Sequence, residues 1–198
     1  MGPGISSPVL SLYSFFNANN YSQHGVALAT VRAGNVIGGG DWARERLLPD
    51  ILCALEQGRD VNIRNPNAIR PWQHVLEPLS GYIQLADFLL AEPSRYSGAW
   101  NFGPAESDKF SVLDVAKSAV TIWGSGEVKV DQATPKVHEA GLLHLNCEKA
   151  QTQMNWSPQW DFEETMFQTV SWYLKTFNKA SVRETSESQL AKYMEKLK

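Results

Sequence analysis

Residues 26–42 read VALATVRAGNVIGGGDW, and this stretch decides the fold class. Its first seven residues, 26–32, form a short apolar run rich in β-branched side chains, which predicts a buried strand. The glycine-rich residues 34–41 predict a turn. Apolar side chains then recur at helical spacing, which predicts a helix from about Leu47 that ends at Gly58. A strand, a turn and a helix in this order are typical of an α/β protein.

The rest of the chain continues this alternation of short strands and amphipathic helices. Further strands are predicted at residues 61–64, 70–75, 100–103, 128–130 and 142–145. Further helices are predicted to begin near Glu77, Ser111, Asn146 and Asp161. Because the strands are few and long loops separate them, the pattern predicts the second half of a larger α/β enzyme rather than a complete sheet.

Three segments differ in composition. Residues 1–14 contain glycine and proline without a sustained period, which predicts an irregular lead-in. Residues 15–177 carry the strand and helix patterns. Residues 178–198 are polar, with a weak amphipathic trace, and this tail is interpreted as a marginal helix or a partner-binding end.

Composition excludes several classes of protein. The 198 residues are 43% hydrophobic and 20% charged, which indicates a globular chain. The net charge of −3 supplies no basic field for nucleic acid or for an anionic membrane. No apolar run reaches the length of a membrane span. Cys53 and Cys147 lie far apart, which argues against a disulfide framework or a zinc site and favours a reducing, cytoplasmic location.

Several catalytic and cofactor motifs are absent from the sequence. It contains no Gly-x-Gly-x-x-Gly, which a dinucleotide pyrophosphate site needs, and the glycines at 38–40 lack the required spacing. It also contains no Walker lysine, Gly-x-Ser-x-Gly elbow or His-Glu-x-x-His. The four histidines are not spaced as metal ligands. We therefore predict neither a complete catalytic set nor a metal site.

Five strong polar side chains lie beside apolar strand or helix ends: Arg32, Asn35, Arg46, Arg70 and Asn101. Arginine can hold phosphate oxygens with two hydrogen bonds, and asparagine suits a sugar hydroxyl or a phosphate edge. Arg46 also begins a predicted helix, where backbone N–H groups favour an anion. A diphosphate is therefore a reasonable ligand, although ion pairs with nearby acids explain each residue taken singly.

Three tryptophans allow two interpretations. Trp42, Trp72 and Trp100 could wall a cleft for a base or a sugar, and they could equally belong to the core.

Five stretches carry a resemblance to a known family. They are residues 31–42 (VRAGNVIGGGDW), 64–66 (RNP), 69–82 (IRPWQHVLEPLSGY), 100–104 (WNFGP) and 138–140 (HEA). Together they resemble the C-terminal half of the CDP-glucose 4,6-dehydratases, nucleotide-sugar enzymes of the extended short-chain dehydrogenase/reductase superfamily. The similarity runs from about Tyr13 to Phe177, and the 70–82 stretch is the part specific to this group.

The resemblance implies a Rossmann-like α/β fold, of which this chain holds mainly the small substrate-binding domain and one or two strands of a truncated parallel sheet. Family members hold NAD on an N-terminal Rossmann domain. They oxidise the sugar at C4, eliminate water across C5–C6 and return the hydride to C6, a lyase reaction that makes a CDP-4-keto-6-deoxy sugar for surface polysaccharide. Residues 15–177 would be the nucleotide-sugar-binding portion, and CDP-sugar the ligand.

The resemblance also implies roles for single residues. The predicted sugar-nucleotide contacts are Asn35, Arg46, Leu47, Ile63, Arg70, Asn101 and Glu139, with His138 beside the last of them. Gly34, Asn35 and Val36 would face the nicotinamide end of NAD in a complete enzyme.

The chain departs from the family at its beginning. Family catalysis needs a Tyr-x-x-x-Lys pair, but Tyr13 and Tyr21 are followed four residues later by Asn17 and Gly25. We therefore expect that the chain alone has no catalytic residues of its own, binds no NAD by itself and is inactive.

Two alternatives remain. The chain could be a non-catalytic binding or interaction module, or a fragment of a related nucleotide-sugar epimerase or reductase. The predicted strand at 26–32 expects neighbours on both sides, so an exposed sheet edge would favour a homo-oligomer or another protein partner.

Overall fold

The computed structural model of the chain describes residues 26–130 and 145–197. Predictions for residues 1–14, His138, Glu139 and most of the candidate strand at 142–145 fall outside these ranges.

Eight strands and seven helices are formed by the described residues. The strands are β1 (Ala29–Ala33), β2 (Asn35–Ile37), β3 (Val61–Ile63), β4 (Ile69–Arg70), β5 (Trp72–His74), β6 (Gly98–Phe102), β7 (Phe110–Ser111) and β8 (Val128–Val130). The helices are α1 (Leu47–Glu56), α2 (Leu76–Ala91), α3 (Pro93–Tyr96), α4 (Val112–Trp123), α5 (Glu148–Met154), α6 (Phe162–Phe177) and α7 (Val182–Lys196). None of these helices is long and apolar enough to cross a membrane.

Packing divides the described chain into two compact units. The first unit comprises residues 26–33, 78–102 and 146–157, and the second comprises 34–77, 103–130, 145 and 158–197. Each unit draws on three or more separated stretches of sequence, so neither is a simple continuous segment.

The first unit is built on one parallel strand pair. β1 pairs with β6, with Ala29 opposite Gly98 and Ala33 opposite Phe102. Trp100 and Phe102 on β6 are almost fully buried, and Trp156 packs edge-on against Phe102 with ring centroids 5.0 Å apart. These aromatic side chains form the centre of this unit's core, with Leu85, Tyr96, Ala150 and Met154 around them.

The second unit contains three short strand pairs. β2 pairs with β5 and β3 pairs with β8, both parallel, whereas β4 pairs with β7 antiparallel. Helices α1, α4 and α6 contribute most of its core, which includes Leu52, Val115 and Met166. The α/β class predicted from the sequence is confirmed, with short parallel pairs.

Local capping signals explain why the helix predictions agree with the structure. The Ser111 hydroxyl accepts from the Asp114 N–H at 3.2 Å, and the Asp114 carboxylate accepts from the Ser111 N–H at 2.8 Å. The Asp161 carboxylate similarly accepts from the Glu164 N–H at 2.9 Å and begins α6. Such caps need only residues three apart, so the sequence alone reveals them.

Two predictions differ from the structure. Residues 35–37, which lie inside the predicted turn, form β2, because the Asn35 N–H donates to the Pro71 carbonyl at 2.7 Å and the strand continues along β5. β1, predicted as a buried strand, has Val31 and Arg32 exposed. β1 pairs with β6 and with no other strand among the described residues, so one of its edges has no strand partner in that part of the chain.

The polar tail contains a regular helix. The Ser181 hydroxyl caps α7 by accepting from the Glu184 N–H at 3.3 Å. Among the apolar residues that give the tail its weak amphipathic pattern, Tyr193 is buried, whereas Leu190 and Met194 are exposed.

Candidate functional site

Most of the predicted ligand contacts meet at one cleft of the second unit. This cleft, cleft A, has a volume of about 520 Å³. Gly34, Asn35, Val36, Arg46 and Leu47 all line it. The other lining residues are Ile37, Asp41, Glu45, Leu48, Pro49 and Trp72. Five candidates separated by as many as 13 sequence positions are thus brought together by the fold.

The start of helix α1 gives cleft A a preference for anions. Arg46 precedes the helix in an extended conformation, and no side chain in the described part of the chain caps this end. Leu47 and Leu48 therefore present N–H groups that have no partner within the helix, whereas Pro49 has none to offer. Backbone N–H groups and the helix dipole at such an end favour a phosphate or a carboxylate.

The charges around the cleft are solvent-accessible. The Arg46 side chain is 65% exposed and lies 3.8 Å from an Asp41 carboxylate oxygen. An exposed pair at this distance contributes little to stability, so the guanidinium can exchange this partner for a ligand anion. Glu45 adopts a φ of +65°, a left-handed conformation that is uncommon for a residue other than glycine.

Two contacts inside the second unit hold the loop that carries Asp41. The Tyr173 hydroxyl donates to the Asp41 carbonyl at 2.6 Å, and burial raises the pKa of that phenol to about 12. Gly39 packs so closely on Trp172 that a Cβ there would lie 2.1 Å from a ring carbon. Glycine at position 39 therefore serves close packing.

Gly34 has a packing role of the same kind. A Cβ at this position would lie 2.3 Å from the Pro71 carbonyl oxygen, which accepts the Asn35 N–H. The close approach of the two backbones requires glycine. The structure thereby gives a physical reason for glycine here that does not involve a cofactor.

Two other candidates in this unit lie outside cleft A. Ile63 is 1% exposed and belongs to the core, with its flanking residues Asn62 and Arg64 on the exposed side of β3. Arg70 is half-buried on β4, and one of its guanidinium nitrogens donates to the Ile69 carbonyl at 3.0 Å. Arg70 is not among the described residues that line cleft A, and the lining residue nearest to it in the sequence is Trp72.

Asn101 and Arg32 lie in the first unit. They are opposite each other in the β1–β6 register, and Asn101 donates from its amide to the Asn146 carbonyl at 2.9 Å. Lys149 lies near the same strand: its ammonium is 3.9 Å from the Trp100 ring centroid, and burial lowers its pKa. Lys149 was not predicted from the sequence, since neither its neighbours nor its spacing forms a motif. The seventh predicted contact, Glu139, lies outside the described residues.

The tryptophans divide between the two interpretations. Trp72 and Trp100 are buried. Trp72 also lines cleft A, so it belongs to the core and the cleft together. Trp42 is 51% exposed and packs edge-on against Tyr173 and Phe177.

The 70–82 stretch, the most specific part of the sequence, supplies three buried polar side chains: Gln73, His74 and Glu77. Glu77 is fully buried, and its carboxylate accepts from the Trp160 N–H at 2.8 Å, the Gln159 N–H at 2.9 Å and the Tyr193 hydroxyl at 2.8 Å. Burial raises the pKa of Glu77, and these hydrogen bonds oppose the rise. The carboxylate therefore joins the start of α2 to the loop before α6 and to α7.

His74 is the second buried polar side chain of that stretch. Its Nδ1 accepts from the Leu76 N–H at 3.3 Å, and its ring packs edge-on against Trp160 with centroids 4.7 Å apart. Burial lowers the pKa of His74 to about 4. A neutral imidazole that accepts at Nδ1 carries its proton on Nε2, so His74 is a structural residue at neutral pH.

Comparison with known proteins identifies a relative and several structural neighbours of this chain. No protein-family model matches the chain. A CDP-glucose 4,6-dehydratase of Salmonella typhimurium is 48% identical over 181 residues. The chain is therefore homologous to CDP-glucose 4,6-dehydratase. The alignment takes in 91% of this chain and 50% of the dehydratase, so the chain spans about half the length of its relative.

Solved structures show a fold like that of this chain. A dTDP-glucose 4,6-dehydratase from Bacillus anthracis, in complex with NAD, aligns with a TM-score of 0.63 at 19% identity, over 88% of this chain and 54% of that one. A UDP-glucose 4-epimerase from Stenotrophomonas maltophila with bound NAD aligns with a TM-score of 0.69 at 16% identity, over 86% and 55%. The predicted Rossmann-like α/β fold is thereby confirmed.

Proposed function

We propose that this chain forms the nucleotide-sugar-binding part of a CDP-glucose 4,6-dehydratase and holds the diphosphate of CDP-glucose in cleft A. The observation that carries the proposal is the meeting of Asn35, Arg46 and the uncapped start of α1 at one cleft. The 48% identity to a CDP-glucose 4,6-dehydratase supports the choice of ligand.

Each part of cleft A has a role in this proposal. The Arg46 guanidinium pairs with phosphate oxygens, and the Leu47 and Leu48 N–H groups donate to the same anion. The Asn35 amide can donate to a phosphate and accept from a sugar hydroxyl. Charge-assisted hydrogen bonds of this kind contribute about 1.5–3 kcal/mol each. Binding and orientation of the sugar nucleotide are the chemistry that these residues can supply.

NAD would supply the hydride chemistry of a complete dehydratase. The residues of this chain do not fit a full dinucleotide site, since the sequence has no glycine-rich pyrophosphate motif and Gly34 is explained by the Pro71 carbonyl. Contact of Gly34, Asn35 and Val36 with the nicotinamide end stays a proposal. We propose likewise a cytoplasmic location, a role in polysaccharide biosynthesis and association through the β1–β6 edge.

Calorimetric titration of the purified chain with CDP-glucose tests the proposal. We expect measurable binding, with the affinity lowered about 10- to 100-fold by Arg46→Gln and also lowered by Asn35→Ala. Arg183→Gln is the matched control, because Arg183 is 86% exposed on α7 and pairs with Glu187. Absence of binding by the unaltered chain, or equal losses in the control, would contradict the proposal.

A further inference from the structure

The charged side chains that line cleft A carry more negative charge than positive charge. Among the described residues at this cleft, Asp41 and Glu45 are acidic and Arg46 is basic, so their net charge is −1. A diphosphate held at Arg46 and at the start of α1 is therefore attracted by one guanidinium and repelled by two carboxylates. The size of that repulsion grows with the charge that the ligand carries.

Asp41 is held at the cleft by hydrogen bonds that do not involve a ligand. The Ala43 N–H donates to one of its carboxylate oxygens at 3.0 Å, and the Tyr173 hydroxyl donates to its backbone carbonyl at 2.6 Å. Its other carboxylate oxygen lies 3.8 Å from the Arg46 guanidinium. When Arg46 exchanges this oxygen for a ligand anion, the Asp41 charge consequently stays in the cleft and acts on any further phosphate there.

Glu45 directly precedes Arg46 and brings the second negative charge. Its side chain is exposed and has no hydrogen bond or ion pair within the described residues. Salt screens exposed charges only beyond roughly 10 Å at 0.1 M ionic strength, a distance comparable with the width of a cleft of this volume. Both carboxylates therefore act on a ligand that occupies cleft A.

Ligands that share the CDP group differ in the charge that they bring into such a cleft. In CDP-glucose each phosphate joins two groups, and the diphosphate carries about −2. A free nucleotide ends in a phosphate that loses a second proton near pH 6, so at neutral pH CDP carries about −3 and CTP about −4. Two opposing carboxylates consequently disfavour CTP most, CDP less and CDP-glucose least.

We infer that Asp41 and Glu45 are specificity-determining residues, which repel additional phosphate charge and so select a sugar nucleotide over free nucleoside di- and triphosphates. This charge-selection inference rests on the proposed function, because it assumes that the diphosphate lies at Arg46 and the start of α1. Arg46 supplies affinity for any diphosphate, whereas the two acids limit how much negative charge the cleft accepts. The discrimination requires no contact with the sugar or with the base.

Titration of the full chain with CDP-glucose, CDP and CTP, in parallel, tests the inference. We expect the unaltered chain to bind CDP-glucose most tightly and CTP least tightly. Asp41→Asn and Glu45→Gln should each lower the ratio of CDP-glucose affinity to CTP affinity about tenfold, because each removes one opposing charge. Asn at position 41 still offers an oxygen to the Ala43 N–H, so the loop keeps its hydrogen bond. Arg46→Gln should weaken all three ligands and raise the same ratio.

Glu56→Gln is the matched control, because it removes the same charge from the opposite end of the same helix. Glu56 is exposed at the end of α1 and does not line cleft A. At 1.5 Å per residue it lies about 14 Å from the start of the helix, beyond the screening distance. We expect this variant to leave the affinity ratio unchanged, and a change as large as that in Asp41→Asn would overturn the inference.

The outcomes separate the two proposals. If the chain binds CDP-glucose and Arg46→Gln weakens that binding, but neither Asp41→Asn nor Glu45→Gln lowers the ratio, charge selection is wrong and the proposed function stands. CTP binding as tight as CDP-glucose binding in the unaltered chain would likewise overturn charge selection alone. If the unaltered chain binds none of the three ligands, both proposals are wrong.

Discussion

At the scale of single residues, close packing explains more of the glycine-rich loop than ligand binding does. Gly39 faces the ring of Trp172, which is buried and donates from its indole nitrogen to the Ser186 hydroxyl at 2.9 Å. The hydrogen bond to Ser186 holds the ring in place, so an added methyl group at position 39 would overlap it. Residue 39 is therefore determined by a contact with α6.

We expect Gly39→Ala to lower the free energy of unfolding by about 3 kcal/mol, because the new methyl group would overlap the Trp172 ring. Urea denaturation measures this loss. Gly58→Ala is the matched control: Gly58 has a φ of +63° and no atoms within 4 Å of the added carbon, so only the left-handed backbone costs about 1 kcal/mol. Equal losses of the free energy of unfolding in the two variants would show that overlap with Trp172 does not cause the loss in Gly39→Ala.

A second prediction at this scale concerns protonation of His74. We expect its pKa to be about 4, because burial disfavours the imidazolium. The folded pKa is below the ordinary 6.5, so the contribution of His74 to stability is present above pH 6.5 and is lost as the pH falls toward 4. Its full size is about 3 kcal/mol.

NMR titration of the His74 Cε1 resonance, assigned from a His74→Gln sample, measures this pKa directly. The free energy of unfolding is a poorer measure of the His74 pKa, because Glu77 also affects how that free energy depends on pH. Burial raises the pKa of Glu77, so the contribution of Glu77 to stability is lost as the pH rises, in the direction opposite to that of His74. A His74 midpoint near the ordinary value of 6.5 would show that the ring is accessible to water in solution.

At the scale of elements, the Glu77 carboxylate connects three parts of the second unit. Three donors to it come from the loop before α6 and from α7, and these are 82 to 116 residues away in sequence. A buried carboxylate loses stability when any one donor is removed, because its charge is then less compensated. The last helix is thus fixed by a polar contact as well as by packing on α6.

We expect Tyr193→Phe to lower the free energy of unfolding by about 1.5–3 kcal/mol, since it deletes one hydrogen bond to a buried charge. Met194→Ala is the matched control on the same helix, because Met194 is 53% exposed, and its effect should stay within about 0.5 kcal/mol. In a Glu77→Gln background the Tyr193 substitution should cost less. Equal costs in both backgrounds would mean that the hydroxyl and the carboxylate are not coupled.

The contrast between helices and strands shows how much the sequence predicts. Helices α4 and α6 were predictable because Ser111 and Asp161 bond to residues three positions later. Strand β2 was not, because its pairing depends on Pro71, which is 36 positions away and needs Gly34 to approach. The candidate site follows the same rule. Asn35 lies in a stretch that carries the family resemblance and Arg46 begins a predicted helix, but that both line one cleft is known only from the structure.

At the scale of the whole molecule, the chain contains the residues proposed to bind the sugar nucleotide and lacks the Tyr-x-x-x-Lys pair that the proposed reaction needs for proton transfer. None of its six tyrosines is followed four residues later by lysine. The chain also spans about half the length of the CDP-glucose 4,6-dehydratase it matches. Binding and turnover should therefore be separable in this polypeptide.

We expect the purified chain with CDP-glucose and NAD to form no 4-keto sugar, because neither a Tyr-x-x-x-Lys pair nor a dinucleotide motif is present. Absorbance of the keto sugar in alkali, or NMR of the product, measures turnover. The Salmonella typhimurium dehydratase under the same conditions is the positive control. Product formation by this chain would show that another group performs the proton transfer.

The bond from Tyr193 to Glu77 has a consequence for the descent of this protein. Tyr193 and Glu77 lie 116 residues apart in the sequence and meet at one carboxylate oxygen, so a substitution at one position changes what is tolerated at the other. A lineage that exchanges the phenol for an aliphatic side chain must recruit a new donor or give up the acid. Positions 77 and 193 should consequently change together among homologues.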